Sequence, residues 1–230
     1  MTTDRERLDF DEAVLRGRLT ALTFGGQLVF VASCAERAAP TCIAHFESNR
    51  MDADARLIGE VVETSWRGAL DPELRLKDSG VADELWRLAS IDGVWHQPIT
   101  SYVPDCASAI YFAADFQISG SLKSATESAR WVYNALDALV SNRIGMTSGT
   151  AADYEAVIAD RVIQRELIKQ DRDLRAIEDV SEIDEPLLER LRADSARIGR
   201  AMLEEFEAES AGRLRRGPPP RLFPDPEPPA

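Results

Sequence analysis

Apolar residues recur along this 230-residue chain at intervals of three and four. The clearest row is Leu122, Ala125, Ala129, Val132, Leu136 and Leu139, which fall on one helical face and predict a core-facing helix after a break at Gly120-Ser121. Leu8, Leu15, Leu19 and Leu22 outline a first helix. Leu28 to Ala32 is apolar on every side, and such a short run fits a buried strand as well as a buried helix. The continuation Ser33 to Ala39 favours helix, with Pro40 ending it or opening the next. Asp52 or Asp54 is placed to cap a helix carrying Leu57, Ile58, Val61, Val62, Trp66 and Ala69, which stops near Asp71-Pro72. Ser79 to Ile91 reads as a shorter helix, and Asp92 to Val103, with Gly93 and Pro98, as a loop. Pro104 or Asp105 then opens an alanine-rich helix to about Ser119.

The last third has narrower rows. Ile163, Leu167, Gln170, Leu174 and Ile177 keep the rhythm within a helix read from Asp153 to Ile177. Leu188, Leu191, Ser195, Ile198 and Met202 keep it after Pro186, with Asp184 as N-cap. The prediction is an all-α fold: a compact multi-helix bundle in one domain over residues 4–211, closed by an antiparallel helical hairpin over about 153–211. Residues 212–230 hold seven of the twelve prolines and four arginines, and are read as a disordered tail.

Charge narrows the partners. Forty acidic against 27 basic side chains give a net −13. That field repels phosphate backbones and anionic lipid, so nucleic acid and membrane are set aside, while a basic protein is attracted. The longest nearly apolar stretch, Cys106 to Ala114, is far short of the ~18 residues of a membrane helix. The N-terminus lacks a signal-peptide layout, and three cysteines cannot all pair, so a cytoplasmic setting with reduced, buried thiols is expected.

Catalytic patterns fail on inspection. Cys42 and His45 share a helical face, but no second ligand pair completes a zinc site. His45-Phe46-Glu47 matches half of a deaminase signature whose P-C-x-x-C half is missing. Gly145-Met146-Thr147-Ser148-Gly149 has threonine where a nucleophile elbow needs serine, and no strand precedes it. Gly25-Gly26 lacks the lysine of a phosphate loop, and Glu60/Glu63 lack the histidines of a di-iron bundle. No catalytic residue, metal ligand or cofactor is assigned.

What resists dismissal is charge at the edge of the core. Glu36-Arg37 follows the all-apolar run, Asp105 opens the alanine-rich helix, and Asp115 lies inside it. Buried charges need partners, so these residues, with Cys34, form either a structural clamp or a polar binding pocket. Asp105 and Asp115 are the candidate carboxylates for Arg37, with Glu36 pointing elsewhere by helix geometry.

The stretch Phe24-x₂-Gln27-Leu-Val-Phe-Val-Ala-Ser-Cys34-Ala-Glu36-Arg37, with Pro40 soon after, resembles the early core helix of the YjaG-like family, whose members carry Cys-x-Glu-Arg there. The likeness continues through the helix ending near Trp66, Tyr102 to Cys106, Ser119-Gly120, and Glu189 to Asp194, spanning roughly residues 8–200. It implies a compact all-α bundle of bacterial cytoplasmic proteins, and marks Cys34, Glu36, Arg37 and Asp105 as pattern positions without catalytic roles. Three functional expectations remain. The first is a non-enzymatic protein acting through contact with a basic partner, as an inhibitor or immunity protein does. The second is a ligand binder or enzyme built on Glu36, Arg37 and Asp105. The third is a structural homo-oligomer.

Overall fold

A buried apolar helix must be wrapped on all sides, and Phe24–Ser48 (α2) is the helix this bundle wraps. The computed structural model describes residues 7–90, 102–146 and 150–216. Among them the order is α1 (Glu12–Thr20), α2, α3 (Asp52–Leu70), a 3₁₀ turn (Pro72–Leu74), α4 (Ser79–Ala89), α5 (Val103–Ser119), α6 (Leu122–Ile144), α7 (Ala151–Ala159), α8 (Arg161–Glu178) and α9 (Glu185–Arg216). The all-α prediction holds, and no strand occurs among the described residues. Helices α3, α5, α6, α8 and α9 all pack on α2. Small residues permit the close approach: Ala32, Ala35 and Ala38 on α2 and Ala107, Ala109, Ala113 and Ala114 on α5 are buried in one continuous core.

The ends are set by local chemistry. Thr23 caps α2 by accepting from the Gly26 N–H at 3.2 Å. The first helix starts at Glu12, not Leu8, because Asp11 accepts from the Val14 N–H at 3.0 Å. Met51 occupies the cap position of α3 with no side-chain bond, so Asp52 and Asp54 are first-turn acids rather than caps. Gly120 and Gly145, both at φ 66°, end α5 and α6 in the left-handed conformation that glycine adopts without strain.

Three further expectations are corrected. Pro40 neither ends nor opens a helix; it lies inside α2. Its ring removes the N–H that the Glu36 carbonyl would otherwise bind, and α9 passes at that point. A Cβ on Gly199 would lie 3.0 Å from the Glu36 oxygen and 2.9 Å from the Arg37 oxygen, so only glycine admits this backbone approach. Second, the row from 153 to 177 is two helices. Asp160 takes extended backbone (ψ 140°) and caps α8 through the Val162 N–H at 2.7 Å, an end role that aspartate fills better than a helix interior. Third, α9 runs to Arg216, so residues 212–216 of the expected tail are helical. The loop read from Asp92 to Val103 ends sooner, since Val103 already opens α5; its residues 92–101, the 147–149 part of the glycine-flanked turn and the 217–230 part of the tail lie outside the described residues.

Helices α8 and α9 are antiparallel, with Arg161 reaching Glu205 at 3.5 Å and Lys169 reaching Asp194 at 3.4 Å. Asp184 caps α9 as the sequence predicts, accepting from the Leu187 N–H at 2.9 Å. Both helices lean on α2 with closer backbone approach than they make to each other.

Gly199→Ala is expected to destabilise the protein by about 1–3 kcal/mol, because the added methyl meets backbone that cannot swing aside. Gly59→Ala, in α3 with open space around its Cα, is expected to stabilise by about 0.5–1 kcal/mol through helix propensity. Urea melts of the two variants check the opposite signs.

Candidate functional site

Arg37 sits three turns into α2 and, among the described residues, is the largest side chain with no solvent exposure. Its carboxylate partners come from α8, not from the helix of Asp105 and Asp115. The Arg37 Nη2 donates to Glu166 Oε1 at 2.8 Å and Nε to the same oxygen at 3.2 Å. Nη1 donates to Asp173 Oδ2 at 3.2 Å, to the Ser33 carbonyl at 3.0 Å and to Ser33 Oγ at 2.7 Å. Ser33 Oγ donates to Asp173 Oδ2 at 2.5 Å. A hydroxyl has one proton, so at the 2.7 Å contact between Ser33 and Ser195 it is Ser195 that donates. Lys169 closes the far side of Asp173 and meets Asp194 at the rim, while Gln170 donates to Glu166 Oε1 at 2.8 Å.

The cluster is charge-balanced: Arg37 and Lys169 against Glu166 and Asp173, all buried. Two like charges removed from water with nothing opposite would cost several kcal/mol each. One group stays imperfectly satisfied, since Glu166 Oε2 is buried without a hydrogen-bond partner. Cys34 accepts from Arg37 Nη2 at 3.4 Å. Burial pushes its thiol up to about 12, against the pull of the Arg37 charge, so it stays a protonated, unreactive thiol at neutral pH.

The other sequence candidates lie apart. Glu36 points to another side of α2, where it accepts from Trp66 Nε1 at 2.8 Å and meets Arg192 at 3.5 Å, tying α3 and α9. Asp115 accepts from Ser124 and, at 3.3 Å, from Ser119, pinning the α5–α6 turn. Asp105 faces Asp137 of α6, and burial followed by that neighbouring charge pushes its carboxyl up to about 6. A pocket joining Glu36, Arg37 and Asp105 therefore does not form, because α-helical geometry turns Glu36 and Arg37 about 100° apart and α5 lies on a different side of α2 from α8. Cys42 and Cys106 are buried in apolar surroundings that raise both thiols, and Cys42 points at the Val103 carbonyl at 3.9 Å.

Glu166, Lys169 and Asp173 are the residues that sequence reasoning missed. They follow one another at i, i+3 and i+7 beside the row Ile163, Leu167, Gln170 and Leu174, and charges in such positions ordinarily read as a solvated flank. The available signal was the need of Arg37 for carboxylates, together with two acids spaced a heptad apart next to a core row.

These features define a class: an all-α bundle locked by an internal ion-pair network. In particular, the chain is similar to the crystal structure of a DUF416 family protein from Shewanella baltica OS155, with a TM-score of 0.63 and 20% sequence identity over 78% of this chain and 92% of that one. At that identity the likeness is one of fold. No family model matches the sequence, and no curated protein matches it.

Arg37→Ala is expected to cost about 3–5 kcal/mol by stranding two buried carboxylates, with Arg37→Lys costing less. Exposed Arg16 and Arg172 changed to alanine should each cost under about 1 kcal/mol. Urea melts rank the four. A second expectation concerns pH. Folded Asp105 holds its proton more tightly than the unfolded side chain, so its stabilising contribution is complete below about pH 4 and is lost as pH rises through about 6. Asp105→Asn should therefore leave stability little changed near pH 4 and raise it by about 1–2 kcal/mol at pH 7.5, as denaturant melts at the two pH values would show.

Proposed function

We propose that the protein is a non-enzymatic, cytoplasmic binding protein of YjaG-like kinship that docks a basic protein partner on the outer surface of α4 and α5. The observation that carries this reading is an aromatic patch, exposed Trp86 over half-buried Tyr111 and Phe112, with an acidic border. Trp86 is 53% exposed, and its ring lies 5.1 Å from that of Tyr111, which meets Phe112 at 4.9 Å. Burial raises the Tyr111 phenol, and next to it the charges of Asp115 and Asp83 raise it further, which puts both carboxylates in its field. Tryptophan and tyrosine dominate the energetics of protein interfaces, and aromatic faces beside carboxylates suit lysine and arginine. The net charge of −13 favours the same kind of partner. An inhibitor or immunity role is the form of action this chemistry fits. The ion-pair cluster of Arg37, by contrast, is buried and internally neutral, which supports a structural role for it.

The test is retention of basic proteins on the immobilised wild type, Trp86→Ala and Asp83→Arg. Trp86→Ala is expected to weaken a captured partner at least tenfold, about 1.4 kcal/mol or more, with wild-type retention falling as salt is raised. Retention indifferent to Trp86→Ala, or a wild-type dimer that the same change converts to monomer, contradicts the basic-partner reading.

A further inference from the structure

A strongly acidic protein carries a basic stripe on α8. Arg161, Arg165, Lys169 and Arg172 recur on α8 at i, i+4, i+8 and i+11, so they share one face. Across a groove of about 350 Å³, α9 contributes Asp194, Arg197 and Ile198. That volume lies within the range of small-molecule sites, roughly 300–1,000 Å³. The lining therefore sets five cations against one carboxylate.

Those cations are unevenly engaged. Lys169, nine-tenths buried, is held by Asp173, Arg197 pairs with Asp194 at 2.5 Å, and Arg161 reaches Glu205 at 3.5 Å. Neither Arg165 nor Arg172 is ion-paired to a described residue, and Arg165 Nη2 is buried with no hydrogen-bond partner. A buried guanidinium N–H without an acceptor is costly, and like charges at i, i+4 add repulsion. An anion seated in the groove relieves both.

The geometry points to a binding site for a small phosphate-bearing molecule in the groove between α8 and α9. Donors approach from both walls, which suits a tetrahedral phosphoryl group with oxygens facing several directions. Arginine forks bind such oxygens in pairs. The site is wider than one phosphate needs, and Ile168 and Ile198 supply apolar surface for an organic remainder. Lys169 joins this groove to the buried cluster, since its ammonium touches Asp173 within and Asp194 at the rim. The net −13 does not oppose this, because over a few ångströms the local cations outweigh distant screened acids.

Isothermal titration calorimetry of the full chain with inorganic phosphate and with phenyl phosphate, each against sodium chloride at matched ionic strength, tests the assignment. Saturable binding is expected for wild type and for Arg16→Gln on α1. It should weaken at least tenfold in Arg172→Gln, an exposed position whose variant should melt like wild type, and in Arg165→Gln. Tighter binding of phenyl phosphate assigns the site to a phosphate ester, and equal binding assigns it to free phosphate. No saturable heat from either probe in wild type, or binding undiminished in both groove variants, overturns the inference.

Discussion

A guanidinium in the middle of a helical bundle must bring its counter-charges with it, and much of this architecture follows from where those charges come from. Arg37 projects from the central helix, and Glu166 and Asp173 reach it from α8. Ser33 and Ser195 extend the network to α9. One buried cation thus fixes the register of three helices at once. Sliding α8 by one turn would carry both carboxylates about 5.4 Å away from Arg37. Apolar packing alone tolerates such slips far better, because leucine against leucine scarcely distinguishes neighbouring registers. The cluster is best understood as specifying arrangement, while the surrounding apolar core supplies the bulk of the stabilisation.

Much of the fold was legible in the residues. The all-round apolar run Leu28 to Ala32 marks a buried element, its continuation Ser33 to Ala39 makes that element a helix, and the row Leu122 to Leu139 marks a core-facing helix. The end at Gly120 and the cap at Asp184 follow from conformational preference. The passage of α2 through Pro40 was not legible, because what makes it tolerable is α9 packing over the freed carbonyl through Gly199, far away in sequence. The same holds for the site. The run before Arg37 announces a charge near the core, but periodicity places a residue on a face without saying which distant helix meets that face. Asp105 looked suitable by helix position and in fact confronts Asp137.

Net charge was a poor guide to local chemistry for a related reason. A sum of −13 averages over the basic stripe of α8 and over the carboxylates beside Trp86, which lie on different helices and act over a few ångströms each. Screening confines an exposed charge to about 10 Å at ordinary salt. A surface of this kind can therefore present opposite signs to different molecules at once.

The distance along the chain between Arg37 and its carboxylates, 129 and 136 residues, has a consequence for biogenesis. At a translation rate of about 5–20 residues per second, α8 emerges roughly ten seconds after α2. Through that interval no carboxylate of α8 is present, and desolvating Arg37 would be prohibitive. The N-terminal helices must wait with α2 partly open to water, and final closure of the core coincides with arrival of the C-terminal hairpin. The later-made α8 is thus what licenses the earlier-made α2 to become dry.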